Sequence, residues 1–209
     1  MSRWAAAPPF MTPKVDAEDC QGLLALAQRA ANGDDGAARE LLQAVAPAMH
    51  RAIVGVLGTN HAEIDDVSQE SMIGFLRALG AFRGECHPAG YAARIALHTA
   101  LRARRRAKLE RTRTDEIARL SPEEPSLPAA EPSAERRRNA LRGLLEDLPP
   151  EQAETLALRV VLGWSLEEVA IATGAPINTV RSRVRLAKEA LRRRLEEDPR
   201  LVEELEVES

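Results

Sequence analysis

Residues 163–195 read GWSLEEVAIATGAPINTVRSRVRLAKEALRRRL, and this stretch decides the fold of the C-terminal half of the chain. Ser165 followed by Glu168 predicts a helix start with a capping box, in which the two side chains satisfy free backbone N–H groups. Gly174 predicts the end of that helix, since glycine readily adopts the left-handed conformation and Pro176 forbids continuation. Two helices joined by a short glycine turn indicate a helix-turn-helix unit.

The second helix of this unit has one apolar side and one polar, basic side. Its apolar residues recur at three- and four-residue spacing, which is typical of a face that packs on a core. They are Val180, Val184, Ala187 and Leu191. The opposite side carries Asn178, Arg181, Ser182 and Arg185 near the helix N-terminus. A recognition helix contacts bases and phosphates from such positions, so we expect it to read DNA. The alternative is a basic helix that only faces solvent.

The rest of the chain is also predicted to be helical. Aromatic residues make up only 3% of the 209 residues, and no alternating β-branched run indicates a strand. Two amphipathic segments are separated by NGDDG at residues 32–36. A third helix is expected from near Ala62 to Leu79, and a fourth from about Tyr91 to Lys108.

A proline-rich segment divides the chain into two helical blocks. Residues 121–135, SPEEPSLPAAEPSAE, contain four prolines and almost no bulky apolar side chain, which is typical of a linker. We therefore predict an all-α protein with two small helical domains joined by a flexible linker. The predicted parts are a flexible N-terminal tail (1–20), a first domain (21–108), a linker (109–135), a helix-turn-helix domain (136–195) and an acidic tail (196–209).

Composition excludes several classes of protein. No apolar run approaches the length of a membrane span, and no secretory leader is recognisable, so we expect a cytoplasmic protein without membrane insertion. Two cysteines are too few for a disulfide framework or a zinc site, and neither a catalytic constellation nor a cofactor motif is present. The net charge of −3 conceals segregated charge, with basic clusters at residues 102–113 and 181–194.

The third helix has an unusual polar face. Its apolar side comprises Ile64, Val67, Ser71, Met72, Phe75, Ala78 and Leu79. The opposite side comprises Asp66, Gln69, Glu70, Ile73 and Arg77. A lone exposed isoleucine is ordinary. An isoleucine surrounded by charged and polar residues also fits an anchor for a protein partner, and the pattern alone leaves both interpretations open.

Two blocks of the sequence resemble a known family. DDVSQESMIGFLRAL together with FRGECHPAGYAARIALHTALRARRR resembles region 2 of bacterial sigma factors of the extracytoplasmic-function (ECF) group. LEDLPPEQAETLALRVVLGWSLEEVAIATGAPINTVRSRVRLAKEALRRRL resembles their region 4. The blocks occur in the family's order and cover about three quarters of the chain. The resemblance implies a non-catalytic subunit that recruits core RNA polymerase to promoters and promotes DNA melting.

The resemblance also implies roles for individual residues. Those matching the contact with the β′ clamp helices of polymerase are Asp66, Gln69, Glu70, Ile73 and Arg77. Those on the helix that recognises the −10 element and holds the opened strand are Tyr91, Arg94, His98, Arg102, Arg104, Arg105 and Arg106. Those on the helix that reads the −35 element are Asn178, Thr179, Arg181, Ser182, Arg183 and Arg185. The partners implied are core RNA polymerase, through the β′ clamp helices and the β flap, promoter DNA and an anti-sigma factor.

The chain departs from the family pattern on the −10 helix. Ala89, Ala92 and Ala93 replace larger residues, and His98 stands where the family commonly has asparagine. Tyr91 is the only aromatic residue of that helix, and it fits either a stacking platform for a base or a core residue. A stand-alone helix-turn-helix regulator remains the alternative function, and co-elution with core polymerase discriminates between the two.

Overall fold

The computed structural model describes residues 17–59, 61–84, 86–119 and 142–197, and their regular structure is entirely helical. The first block contains α1 (Ala17–Ala31), α2 (Asp35–Leu57), α3 (Ile64–Ala78), a 3-10 turn (Leu79–Ala81) and α4 (Pro88–Arg119). The second contains α5 (residues 142–146), α6 (Pro150–Val160), α7 (Leu166–Thr173) and α8 (Ile177–Glu197). The prediction of an all-α protein with two helical domains is confirmed.

The α2 helix is the centre of the first domain and packs along α4. Its buried side chains recur every four residues, which aligns them on one helix face. They include Leu41, Val45, Met49 and Ile53.

At the starts of α2 and α4, a backbone N–H group is satisfied by a nearby side chain. The Asp34 carboxylate accepts a hydrogen bond from the backbone N–H of Ala37 at 2.9 Å, and His87 Nδ1 accepts one from Ala89 N–H at 3.1 Å.

The α4 helix is longer than the sequence pattern predicted. It was expected to end near Lys108, but it continues to Arg119, so residues 109–119 are helical. The change from apolar to charged composition suggested an end at Lys108. No glycine or proline occurs between residues 91 and 121, however, and charged residues such as Arg, Lys and Glu are good helix formers.

The predicted helix-turn-helix is present in detail. Ser165 Oγ accepts from Glu168 N–H at 3.0 Å, and Glu168 Oε2 accepts from Ser165 N–H at 2.7 Å, which completes the capping box. Gly174 ends α7 with φ +65°, in the left-handed region that glycine adopts without a steric cost. Val180 and Ala187 on α8 are fully buried, whereas Val184 and Leu191 are half-buried.

The two domains share one core. Leu158, Leu162 and Val169 from the second domain belong to the same buried cluster as the side chains of α2 and α4. Glycines of the first domain allow the close approach. A Cβ atom added to Gly55 would collide with Val161, and one added to Gly90 would lie 3.4 Å from Trp164. The two blocks are therefore packed together and are not merely linked.

Several predictions fall outside the described residues. These are residues 1–16 of the predicted N-terminal tail, residues 120–135 of the predicted linker, residues 136–141 of the predicted second domain and residues 198–209 of the predicted acidic tail. Within the described ranges, no helix is both long enough and apolar enough to cross a membrane.

Candidate nucleic-acid interface

The polar face of α3 lies at the surface, as the helical wheel predicted. Asp66, Gln69, Glu70 and Arg77 are exposed, and the Ile73 side chain is 43% exposed. On the opposite face Val67 and Phe75 are buried. Ser71 is buried there too, and its hydroxyl donates to the Val67 carbonyl at 2.6 Å. Its burial therefore leaves no hydroxyl donor unsatisfied. Ile73 thus contributes little to the core.

An open groove of about 850 Å³ runs between α3 and α4. One wall carries all five α3 residues expected to contact polymerase, which are Asp66, Gln69, Glu70, Ile73 and Arg77. The other wall carries four of the residues expected to contact the opened DNA strand, which are Tyr91, Arg94, His98 and Arg102. The structure therefore brings the predicted polymerase contacts and part of the predicted strand contacts to opposite walls of the same groove.

Tyr91 is part of a small aromatic cluster in the first domain. Its ring stacks on Phe82, with 4.8 Å between centroids and 28° between planes. Phe75 lies 6.2 Å away in a tilted arrangement. The Tyr91 side chain is half-buried and also lines the groove. The side chain therefore packs on the core and also contributes to the lining of the groove.

The basic residues of α4 occupy different environments. Arg102 and Arg106 are exposed, and Arg106 lies 3.7 Å from Glu70 of α3. Arg94 and His98 both contact Glu154 of the second domain, with Arg94 Nε 2.9 Å from Oε1 and His98 Nε2 3.1 Å from Oε2. One carboxylate thus bridges two of the predicted DNA contacts.

Arg104 lies inside the contact between the domains and is only 9% exposed. Its Nε donates to Glu146 Oε1 at 2.7 Å, and its Nη1 donates to the Val56 carbonyl at 3.1 Å. Burial lowers the pKa of the Arg104 guanidinium, and the nearby Glu146 carboxylate opposes that effect without cancelling it. In this arrangement Arg104 does not reach solvent to contact DNA.

Two further basic residues of α4 contact the start of the second domain. Arg105 Nη2 donates to the Leu148 carbonyl at 3.3 Å, and Lys108 pairs with Asp147. The basic side chains of α4 therefore form ion pairs with three acidic residues that the sequence analysis did not identify. These are Glu146, Asp147 and Glu154. Their signal was the acidic stretch LEDLPPEQAE at residues 145–154, which has a charge opposite to that of α4.

Glu154 is a nearly buried carboxylate between two basic side chains. Burial raises the pKa of its carboxyl group. The hydrogen bond and charge of His98, followed by Arg94, lower that pKa by more, so that it lies below the ordinary value of 4.5. Glu154 is therefore charged in this contact at neutral pH.

The N-terminal turns of α8 are open to solvent. Asn178, Arg181, Ser182 and Arg185 are exposed, whereas Thr179 and Arg183 are half-buried. Arg181 Nη1 donates to Asn178 Oδ1 at 3.2 Å, and Arg185 pairs with Glu189 at 2.7 Å. These weak surface contacts leave the side chains available to DNA. A basic groove of about 380 Å³ lies beside them, lined by Leu166, Arg181, Val184, Arg185, Lys188, Glu189 and Arg192.

Comparison with known proteins assigns both domains. The family described as "Sigma-70 region 2" matches residues 41–110, and "Sigma-70, region 4" matches residues 138–191. The chain is 35% identical over 164 residues to the ECF RNA polymerase sigma factor SigD of Mycobacterium tuberculosis, covering 75% of this chain and 76% of SigD. This chain belongs to the ECF sigma factors. It directs RNA polymerase to promoters, and its family is not catalytic.

A further relative resembles this chain in sequence, and a solved structure resembles it in fold. The RNA polymerase sigma-H factor of Pseudomonas aeruginosa is 34% identical over 142 residues, covering 64% of this chain and 74% of its own length. The fold is similar to that of CnrH, solved in complex with the cytosolic domain of CnrY. The TM-score is 0.52 at 22% identity, and the match covers 83% of this chain and 97% of CnrH. The ECF sigma factor thus shares both sequence and fold with its family.

Proposed function

We propose that the exposed face of α3 is the surface that docks this sigma factor on the β′ clamp helices of core RNA polymerase. The observation that carries this proposal is Ile73, which is 43% exposed and lies on a face of charged and polar side chains. An apolar anchor within a polar rim is the usual composition of a protein contact. Asp66, Gln69, Glu70 and Arg77 form the rim.

The second proposed surface binds the opened non-template strand of the −10 element. Arg102 lines the groove beside α3, and Arg106 is exposed one turn further along α4. Exposed cations beside a groove suit the phosphates of a single strand. The same surface is proposed to include Arg94, His98, Arg104 and Arg105, which contact the second domain in this arrangement. Tyr91, which lines the groove, is proposed to contact an unpaired base.

The third proposed surface is the start of α8, which reads the −35 element. The exposure of Asn178, Arg181, Ser182 and Arg185 supports this role, because a recognition helix uses its N-terminal turns in the major groove. Thr179 and Arg183 are the half-buried members of the same set.

The remaining assignments follow from the family resemblance. We propose that residues 21–108 and 136–195 are the functional domains and that the segment between them passes close to the polymerase cleft. The β flap is the proposed partner of the second domain, and an anti-sigma factor is the proposed regulator. The proposed site of action is the cytoplasm, where RNA polymerase and DNA are found.

The test of the docking surface is Ile73→Asp in the full chain. The new carboxylate would be buried without a partner in the complex, so affinity for core polymerase should fall about 30-fold or more. The melting temperature should stay within a few degrees of wild type, because Ile73 is outside the core. Leu109→Asp is the matched control, since Leu109 is 65% exposed and is not among the residues that line the groove between α3 and α4. Wild-type affinity in folded Ile73→Asp protein excludes this face.

A further inference from the structure

The α4 helix extends beyond the part of the first domain that packs around it. Residues 109–114 are all exposed, and because six residues make more than one helical turn, every side of the helix faces solvent there. The match to sigma-70 region 2 ends at residue 110, whereas α4 continues to Arg119. The end of α4 is therefore a surface that the core of the first domain does not require.

Three arginines are aligned along one side of this part of α4. Arg102, Arg106 and Arg113 are spaced by four and seven residues, which places them within about 40° of one another around the helix axis. All three are exposed. Leu109 lies in the same line and is 65% exposed, so this side is open to solvent. The three arginines form a stripe, the α4 stripe, that spans about 16 Å.

The α4 stripe receives little negative charge from the protein. Arg106 lies 3.7 Å from Glu70, and a contact between two exposed side chains at that distance contributes little free energy. Within the described ranges, Arg102 and Arg113 form no ion pair. The positive charge of the stripe is therefore available to an external anion.

The composition of α4 indicates which anion fits the stripe. Binding of an unpaired strand uses aromatic side chains on which bases stack. Residues 92–119 contain no Phe, Trp or Tyr, so Tyr91 near the other end of α4 is the only such side chain on the helix. The phosphates of duplex DNA need only cations, and they repeat about every 3.4 Å along each strand. A stripe of about 16 Å is long enough to contact two or three of them.

The direction of α4 relates the stripe to one part of the promoter. Tyr91 and the groove beside α3 lie toward the N-terminal end of the helix, where the unpaired strand is proposed to bind. The C-terminal end leads into the segment that joins the second domain, whose α8 is proposed to bind the −35 element. Because the DNA between the two elements is duplex, paired DNA on the −35 side adjoins the C-terminal end of α4.

We propose that the α4 stripe binds the phosphate backbone of the duplex immediately upstream of the −10 element, with Arg113 as its outermost contact. The proposal builds on the proposed strand-binding function of α4, and it adds paired DNA to the unpaired strand as a ligand of the same helix. Phosphates carry no base sequence, so this contact contributes affinity and fixes the position of the DNA without selecting a sequence.

Neutralising single phosphates tests the contact in the complete holoenzyme. Uncharged methylphosphonate linkages are introduced one at a time into the promoter duplex upstream of the −10 element, and the affinity for holoenzyme is measured. With the wild-type chain, at least one neutral linkage should weaken binding about three- to tenfold and lower the salt slope by about one. Arg113→Ala should weaken binding to unmodified DNA by a similar factor, and the same linkage should then have no further effect.

Arg111→Ala is the matched control, because Arg111 is two positions from Arg113 on the other side of α4, where it lies 3.7 Å from Glu146. It makes the same change in net charge and should stay as sensitive to the neutral linkage as the wild type. Arg113→Lys keeps the positive charge and should bind unmodified DNA within about twofold of the wild type. Thermal melting followed by circular dichroism checks that the variants are folded, as expected for exposed positions.

Several results would overturn the proposal. Equal losses of affinity in Arg113→Ala and Arg111→Ala would show a general effect of charge. An Arg113→Ala protein that stays sensitive to every neutral linkage would exclude a contact between Arg113 and the duplex backbone. Weaker binding of Arg113→Ala to core polymerase in the absence of DNA would identify an acidic surface of polymerase as the occupant of the stripe.

The strand-binding function fails in a different way. If Arg102→Ala leaves the binding of a fluorescein-labelled oligothymidylate unchanged, α4 is not the strand-binding surface. A neutral linkage whose effect disappears in Arg113→Ala would still establish the duplex contact. If Arg102→Ala weakens oligothymidylate binding but no upstream linkage responds to Arg113→Ala, strand binding by α4 stands and the duplex contact is excluded.

Discussion

Arg102 and Arg104 are two residues apart on α4, and their environments are opposite. Arg102 is exposed beside the groove, whereas Arg104 is buried between the domains and paired with Glu146. Two positions correspond to about 200° around a helix, so neighbouring arginines of one cluster point to opposite sides. The chemistry of a guanidinium is the same at both sites, and its surroundings determine its role.

Arg104→Ala should destabilise the fold, and Arg102→Ala should not. Removing Arg104 leaves the Glu146 carboxylate without its buried partner, which costs about 3 kcal/mol or more. Arg102→Ala should change the free energy of unfolding by less than about 0.5 kcal/mol while weakening single-strand binding. Urea denaturation followed by circular dichroism measures both. Equal stability of the two variants would show that the Arg104 ion pair is not formed in solution.

Tyr91 can be tested by separating its ring from its hydroxyl. Tyr91→Phe keeps the stacking on Phe82 and should leave stability and transcription near wild type. Tyr91→Ala removes the ring from a half-buried cluster and should cost about 2–4 kcal/mol. If the ring also stacks on a base, Tyr91→Ala should transcribe a duplex promoter less well than a pre-melted one, since stacking contributes about 1–3 kcal/mol. An equal deficit on both templates indicates a purely structural residue.

Arg181 and Arg185 are the residues of α8 most directly tested by DNA binding. Each is exposed, and neither supports the core. Arg181→Ala or Arg185→Ala should lower affinity for the upstream promoter element by about 1–3 kcal/mol if a base contact is lost. A lost phosphate contact should instead lower the salt slope of binding by about one. Core polymerase affinity, measured in parallel, should stay unchanged, and unaltered promoter affinity in both variants would remove α8 from the interface.

At the scale of single elements, the best predictions rested on local chemistry. The capping box of Ser165 and Glu168, the left-handed Gly174 and the break before Asp35 all depend on residues within one turn of each other. The exposed face of α3 followed from helix periodicity alone. The end of α4 was mispredicted, because a change in composition was taken as a helix end although no residue there breaks a helix.

The capping box gives a prediction for the helix-turn-helix as an element. Ser165→Ala removes the side-chain acceptor for Glu168 N–H and should lower stability by about 1 kcal/mol. Because α7 packs on α8, promoter binding should weaken as the position of α8 becomes less well defined. Ser165→Thr keeps the acceptor and is the matched control. Loss of stability in both variants would point to packing at residue 165 rather than capping.

At the scale of the whole molecule, the contact between the domains was not predictable from the sequence. Arg94 pairs with Glu154, and Arg104 with Glu146, across 60 and 42 positions. No local pattern encodes such pairings, and the intervening linker composition suggested independent domains. The opposite charges of α4 and of residues 145–154 indicated that they could attract each other, but not that they would meet.

Acid should weaken this contact through Glu154. Its pKa in the closed arrangement is below the ordinary 4.5, because His98 and Arg94 outweigh the effect of burial. A group whose folded-state pKa is lowered stabilises the fold fully above its unfolded pKa, and that stabilisation is lost as the pH falls through the folded value. The difference in melting temperature between wild type and Glu154→Gln should therefore be present at about pH 5 to 6 and shrink as the pH falls below the ordinary carboxyl pKa. The Asp34 carboxyl, whose pKa is also lowered, by the Ala37 N–H and Arg29, is common to both proteins and cancels in the comparison. A difference that stays constant down to about pH 3 would mean that the Glu154 carboxylate does not hold the domains together.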